Sequence, residues 1–215
     1  VRNPVQGKAV NAVDEIQKVV DALGNNNIEC IFVKNKQEAL KKALDMIPEG
    51  STVGLGGSVT VEQIGLLEKL RTGKYTLYDQ YAPNLDMPEN MKRRKQGLSA
   101  QYFVTGTNAI TSDGQLVNVD GLGNRVAAQA FGPDKVIIVA GTNKIVKDVH
   151  EAFDRLEKIA PINARRFGTE SPCADSGVCI DCDSPTRICN IYTIIRRMMI
   201  PGRITVILVN DSLGF

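Results

Sequence analysis

The stretch TGTNAITSDGQLVNVDGLGNRVAAQAFGPDKVIIVAGTNKIV, residues 105–146, decides the fold. Near its end KVIIVAG, 135–141, is an unbroken apolar run. A run of that length with no alternation marks a strand buried on both faces, which is the signature of a parallel sheet. GQLVNVDG, 114–121, instead alternates apolar and polar residues like one arm of a hairpin. The preceding QYFVTGTNAIT, 101–111, opens as a strand and breaks at Gly106.

Outward from this stretch, helical and extended patterns alternate. Apolar residues at helical spacing predict helices over Ala9–Leu23, Lys36–Met46, Thr60–Arg71, Pro88–Leu98, Asn143–Ile159 and Tyr192–Met199. Short β-branched runs predict strands at 28–33, 51–57, 75–81 and 203–209. Strands alternating with helices imply an α/β fold, a mostly parallel sheet with helices on both faces. Regular periodicity lapses between Pro161 and Asn190. That segment reads as an irregular excursion before the last helix and strand of a single domain spanning 1–215.

In open parallel sheets, ligands bind beyond the C-terminal ends of the strands. Three predicted strand ends here carry small polar groups: Thr105-Gly106-Thr107-Asn108, Asn118-Val119-Asp120-Gly121 and Gly141-Thr142-Asn143-Lys144. Asp113 and Asp120 are the candidate catalytic carboxylates. Arg125 and Lys144 are the candidate cations for an acidic substrate, and Thr105, Gly106, Asn108, Asn118 and Asn124 the candidate polar lining. Each has a plainer reading beside it. Asp113-Gly114 is a common turn dipeptide, Asp120-Gly121 can shape a hairpin, and Lys144 can sit on a solvated helix start. His150 lies in a charged helix with no catalytic partner nearby in sequence.

A second candidate lies in TVGLGGSVTVEQIGLLEKL, 52–70, where a strand runs into glycines and then a helix. Gly56 and Gly57 allow close backbone approach, and Ser58 and Thr60 add hydroxyls near free N–H groups, a layout suited to an anion. No Gly-Lys-Ser/Thr follows, so it is not a Walker loop. The same glycines also serve a tight strand-to-helix turn.

The bulk numbers exclude several classes. Among 215 residues 43% are hydrophobic and 23% charged, and the formal net charge is +2, so no polyanion partner is indicated. The cluster Lys92-Arg93-Arg94-Lys95 reads as a solvated helix face rather than a nucleic-acid site. No apolar run approaches the roughly 20 residues that span a bilayer, so membrane insertion is not expected. The opening VRNPVQGKAV has no apolar signal core, and Val1 leaves the natural start open. The expectation is a cytoplasmic chain whose thiols stay reduced.

That matters because four of the five cysteines fall in CADSGVCIDCDSPTRIC, 173–189. Cys173, Cys179, Cys182 and Cys189 follow the pattern C-x5-C-x2-C-x6-C. Four thiolates complete the shell of a [4Fe–4S] cluster or a tetrahedral Zn²⁺. Only one CxxC knuckle is present, whereas structural zinc sites often use two. Reduced structural thiols, or one redox-active Cys179–Cys182 pair, complete the alternatives. Cys30, within an apolar strand, reads as a core thiol.

Taken together, the Gly-Leu-Gly-Gly-Ser loop, TGTNAITSDGQLVNVDGLGNRV, GPDKVIIVAGTNKIV, the cysteine segment and the closing VILVNDSLGF resemble the lactate-utilisation (LUD) domain family. The resemblance runs from about residue 10 to the end. It implies the fold of the ribose-5-phosphate isomerase, glucosamine-6-phosphate deaminase and CoA-transferase superfamily. There a glycine loop at a strand end holds a phosphate or acyl-carrier group, a role that would fall to Gly56, Gly57, Ser58, Val59 and Thr60. The chain lacks the ferredoxin-type CxxCxxCxxxCP runs of larger members, and Ser112-Asp113-Gly114 offers no catalytic glutamate of the CoA-transferase kind.

The resulting expectation is a component of organic-acid oxidation, an oxidoreductase subunit that binds a small anionic metabolite and carries an iron–sulphur cluster. A redox partner subunit and a homo-oligomer are left open. The alternative is a metabolite-binding accessory protein with a structural zinc. A sugar-phosphate isomerase or acyl-CoA transferase is less favoured, since it rests on fold analogy.

Overall fold

The structure is a computed structural model and describes residues 12–215. The leader reading of VRNPVQGKAV and the first residues of the helix expected from Ala9 lie outside them. The elements run α1 (Ala12–Asn25), β1 (Glu29–Val33), α2 (Lys36–Asp45), β2 (Thr52–Leu55), α3 (Val59–Gln63), α4 (Leu66–Leu70), β3 (Thr76–Tyr78), α5 (Met87–Gly97) and β4 (Tyr102–Thr105). There follow β5 (Ala109–Thr111), β6 (Leu116–Asp120), α6 (Asn124–Ala130), β7 (Lys135–Gly141), a 3-10 turn (Thr142–Lys144), β8 (Ile145–Val146), α7 (Val149–Arg166), α8 (Pro172–Ser176), β9 (Ile191–Ile195) and β10 (Ile204–Val209).

Six strands form a wholly parallel sheet in the order β1-β10-β7-β4-β2-β3. The apolar runs explain its centre: every residue of β10, and all of β7 except Lys135, is buried. One face packs Val53, Val104, Ile137, Val139 and Ile207 against Ala39 and Ala43 of α2, Ile47 just after it, Val61 of α3, and Leu66 and Leu70 of α4. The other face packs Phe103, Val136, Ile138, Val206 and Leu208 against Val19 and Leu23 of α1 and Ala128 of α6.

Ile110 and Leu116 join that second core from a four-stranded mixed sheet, β8-β5-β6-β9. β5 and β6 form the expected hairpin. The far side of the small sheet is covered by α7, through Ala152 and Leu156 against Ala109 and Val117.

Three sequence expectations are corrected. The helix expected over Tyr192–Met199 is the strand β9, antiparallel to β6. Ile191, Ile194, Ile195 and Met198 fall at helical spacing, but IYTII is β-branched and aromatic and meets an open strand edge, so pairing wins. The helix expected from Asn143 begins at Val149, behind β8, with Asp148 Oδ1 accepting from Glu151 N at 3.0 Å. It also continues through Pro161 to Arg166, so the irregular excursion starts after Arg166 rather than at Pro161. Finally, the helix expected over Thr60–Arg71 is two short helices parted at Gly65, whose φ of 76° is left-handed.

The β2–α5 contact depends on a glycine pair. A Cβ at Gly54 would sit 2.7 Å from Gly97 Cα and 2.8 Å from Phe103 Cδ2, whereas a Cβ at Gly97 would meet nothing closer than 3.5 Å. Gly54→Ala is therefore expected to cost about 1–3 kcal/mol and to lower the melting temperature by several degrees. Gly97→Ala, an ordinary helix substitution, should stay within about 1 kcal/mol of the parent. Thermal unfolding followed by circular dichroism checks the pair. Equal stabilities for the two variants would refute the close-approach account.

Candidate active site

The chain passes from β2 outward to β3 and then returns to β4 on the other side of β2. Between β2 and β4 the sheet order therefore reverses, and a crevice opens beyond their C-terminal ends. There the structure has a cavity of about 320 Å³. Its floor is Gly57–Thr60 after β2 and Gly106–Asn108 after β4. Val119–Leu122 of the small sheet, Lys144 after β7 and Ile159, Ala160 and Asn163 of α7 form the walls.

Arg125, at the start of α6, builds the wall on the small-sheet side. Its Nε donates to Asp120 Oδ2 at 3.0 Å. One terminal nitrogen donates to Asn118 Oδ1 at 2.8 Å and Gly106 O at 3.4 Å, the other to Asn108 Oδ1 at 2.9 Å and Val119 O at 2.5 Å. A guanidinium has five N–H donors, and these five contacts use them all. Asn118 also accepts from Thr107 Oγ1 at 3.1 Å and the Asn108 amide at 3.1 Å and donates to Gln129 Oε1 at 2.9 Å. Gln129 in turn donates to Gly106 O at 3.1 Å. Arg125 thus holds the wall and has no donor left for a ligand.

Lys144 is the opposite case. It is 94% buried by its 6% exposure, and no carboxylate of the described residues lies within ion-pair distance. Burial, with the charges of Arg155, Arg125 and Arg166, pulls its ammonium down to about 7. Beside it Thr60, buried, has a hydroxyl with no hydrogen-bond partner. Both heads lie against Gly214, at the edge of the cavity: a Cβ there would lie 2.7 Å from Thr60 Oγ1 and 3.2 Å from Lys144 Nζ, so the two groups are neighbours.

Two further cations reach the cavity, Arg94 from α5 and Arg166 from the end of α7. Arg94 donates to Asn90 Oδ1 at 2.7 Å and Asn124 Oδ1 at 2.9 Å. Arg166 lies over the Phe167 ring at 4.3 Å. Against Arg94, Arg125, Lys144 and Arg166 the lining holds one acidic side chain among the described residues, Asp120, already paired with Arg125. The chamber is strongly positive and suits an anion.

Of the residues singled out in the sequence, Gly57, Ser58, Val59, Thr60, Gly106, Asn108, Asp120, Asn124, Arg125 and Lys144 line this one cavity. Gly56 and Thr105 sit just behind it, in contact with each other and with the Arg125 stem. Asn118 is wholly buried in the Arg125 network. Asp113 is elsewhere. It occupies the exposed β5–β6 turn, bonded to Thr111 and to Gln115 at 2.6 Å, with its carbonyl held by Asn26 at 2.8 Å. Hydrogen bonds first from Thr111 and then Gln115 hold its carboxyl below its ordinary value despite the opposing cost of burial. His150 is exposed on α7.

Sequence reading missed Arg94, Arg166 and Tyr81, whose hydroxyl lies against Gly57 in the cavity lining. Arg94 belongs to the cluster expected to be a solvated face. Lys92 and Lys95 are exposed there, but Arg93 donates to Asp79 O at 2.9 Å and Arg94 turns inward. Arg166 lay in the segment expected to be irregular.

The four clustered thiols lie beside the cavity. Cys173 is in α8, Cys179 and Cys182 flank a turn in which Asp181 is left-handed (φ 46°), and Cys189 precedes β9 and lines the cavity itself. Burial first, then the fields of Cys182, Cys179 and Cys189, push the Cys173 thiol above its ordinary value, so the four share one neighbourhood. Arg187 ties the ends of the segment, donating to Cys182 O at 2.7 Å and Cys189 O at 3.2 Å and pairing with Asp181 at 2.7 Å. No three His, Cys, Asp or Glu side chains of the described residues are grouped closely enough to enclose a metal ion. The donor set fits a [4Fe–4S] cluster or zinc in number and chemistry; its loop would have to draw in around one centre.

A family model described as the LUD domain matches residues 16–209. The solved structure of a DUF162 family protein from Deinococcus radiodurans aligns with a TM-score of 0.53 at 15% identity, over 93% of this chain and 99% of that one. It shows a shared fold. The structure of eIF2B delta from Chaetomium thermophilum aligns at a TM-score of 0.36 and 20% identity, over 62% of this chain and 54% of that one. No curated protein matches the sequence. No helix among the described residues is long and apolar enough to cross a membrane.

The buried Lys144 charge carries a pH signature. Its proton is held less well in the folded chain than in the unfolded one. The destabilisation is complete below about pH 7, where both states are protonated, and fades as pH rises toward the unfolded value of 10.5. Lys144→Met should therefore stabilise the ligand-free protein at pH about 6 by on the order of 3 kcal/mol, and by much less at pH about 10. Urea unfolding at the two pH values is the measurement. A gain of the same size at both would mean that the buried charge is not its source.

Proposed function

The chain belongs to the LUD domain family, and from that premise we propose that it is a component of organic-acid oxidation that binds a small carboxylate of the lactate type in the cavity beyond β2, β4 and β7. One observation carries this reading: a cavity lined by four cations, a single acidic side chain already paired, and a buried Lys144 and Thr60 that lack partners among the described residues. An entering carboxylate supplies what both lack.

The residues divide the work. Lys144 and Arg166 hold the carboxylate, and a charge-assisted hydrogen bond from each fixes its direction. Thr60 donates its hydroxyl to the next oxygen of the ligand. Ser58 accepts the Val61 amide at 3.2 Å, which leaves its own proton free for the same side of the ligand. Val119, Leu122, Ile159 and Ala160 provide apolar wall and exclude water. Asp120, Asn108, Asn118 and Asn124 shape the chamber; the reading gives Asp113 no part in it.

Cys173, Cys179, Cys182 and Cys189 are the residues that would hold a [4Fe–4S] cluster. When bound, such a cluster supplies one-electron transfer to a partner protein. Support for placing it here is the adjacency of Cys189 to the chamber. Cytoplasmic location and an electron-accepting partner subunit follow from this reading.

Two measurements test the two halves. L-lactate or pyruvate should raise the melting temperature and bind by calorimetry, lactamide should not, and Arg166→Gln should weaken binding by about tenfold. If lactamide binds as well as lactate, the site does not select charge and the anion reading falls. Anaerobically purified protein should contain about four iron and four sulphide per chain with a broad visible absorption. About one zinc and no colour would make the segment a structural staple instead.

A further inference from the structure

We infer that Lys144 has two roles: as an ammonium it pairs with the carboxylate of a hydroxy acid, and as a free amine, with the carboxylate left to Arg166, it forms an imine with the carbonyl carbon of a 2-oxo carboxylate bound in the cavity. The inference rests on the anionic-ligand reading above and names the ligand class more narrowly.

The geometry comes first. An amine reacts with a carbonyl only if it is uncharged, unpaired and within reach of a held substrate. Lys144 is 6% exposed, lines the cavity, and has no ion-pair partner among the described residues. The acid that might have neutralised it, Asp120, is committed to Arg125 at 3.0 Å. Arg125 is saturated, so it cannot hand Asp120 over without opening the wall. Desolvation beside other cations is a recognised way to activate a lysine, and both conditions hold here. With its ammonium lowered to about 7, Lys144 has on the order of a thousandfold more free amine at neutral pH than an ordinary lysine.

The second requirement is an electrophile. Arg166 and Lys144 line the same cavity, so a carboxylate drawn to the guanidinium brings its adjacent carbon into the chamber that holds the amine. Only a carbonyl at that carbon can use the amine; a hydroxy acid cannot. The Thr60 hydroxyl, buried without a partner and neighbouring Nζ, is placed to donate to the carbonyl oxygen.

The step balances without a co-reactant. The Nζ lone pair forms a C–N bond to the carbonyl carbon, and the C=O π pair moves to oxygen. Two protons pass from nitrogen to that oxygen, which leaves as water, and a C=N bond remains. Nothing is oxidised or reduced, and water reverses the step.

The test uses the full chain, pyruvate as probe and borohydride as trap, since hydride adds to the imine carbon and makes the link permanent. Intact-mass and peptide mapping read the product. The expected result is one adduct per chain on Lys144, formed on the order of a hundredfold faster than at the exposed Lys147, suppressed by L-lactate, slowed in Thr60→Val and absent in Lys144→Arg. Adducts spread over surface lysines, with Lys144 no faster than Lys147, would overturn the inference. If pyruvate raises the melting temperature yet no adduct forms at Lys144, the imine is overturned while the anion site stands. If pyruvate neither stabilises the protein nor forms an adduct, both readings fall together.

Discussion

The Arg125 guanidinium is the interaction on which the rest of the site depends. It sits on α6, yet its donors reach the loop after β4, at Gly106 and Asn108, and the strand β6, at Asn118, Val119 and Asp120. It therefore locks the edge of the small sheet onto the C-terminal end of the large one. A buried cation removed from water is tolerated only when its charge is paired and each N–H is satisfied. Here both conditions are met, and the consequence falls on Lys144. The one acidic side chain of the chamber is spent on Arg125, so the second buried cation is left without a counter-ion. The chamber's excess of positive charge follows from how its wall is built.

Much of the large sheet is legible in the sequence, because a strand buried on both faces has to be apolar throughout and short. VIIVAG and ITVILV could be little else. The Gly-Gly-Ser loop and the polar strand ends are legible for a related reason: parallel strands force their loops to one edge, so small polar residues at several strand ends converge. The small sheet is harder to see. β5 and β8 are three and two residues long, and β9 combines β-strand composition with helical spacing. Only the open edge of β6 decides between them, and that edge is a tertiary fact. Arg125 and Lys144 show the same limit at the site. In sequence they are two basic residues near strand ends. That one is saturated and the other bare depends on five acceptors drawn from residues 106 to 120, and no local pattern reports it.

The thiol segment is held by less. Its own apolar cluster is small, with Ala164, Cys173, Ala174 and Ile188, and Val178 and Ile180 are exposed. Arg187 supplies most of its internal order by gathering the carbonyls of Cys182 and Cys189 and the Asp181 carboxylate. Two side chains from opposite ends of this segment's tether connect it to the rest of the protein. Arg165 of α7 donates to Ala174 O at 2.9 Å, and Asn190 donates to Gly121 O at 3.3 Å. Gly121 is part of the chamber wall. Any agent that draws the four thiols together must act on Cys189, and through Ile188, Cys189 and Asn190 on the wall facing Arg125.

That contiguity argues against treating the chamber and the cysteines as separate devices. Here Cys189 shares the chamber with Lys144 while lying two residues before Ile191, which pairs with Asp120 across β6 and β9. Arg125, Asp120, β9 and Cys189 form a continuous line of packed and hydrogen-bonded groups. A ligand on Lys144 would alter the field felt at one end of that line, and closure of the thiols would move the other. On the proposed reading, in which the chamber takes an anion and the thiols a metal, this line is the route by which the two occupancies would be coupled, and such coupling is reciprocal by thermodynamic necessity.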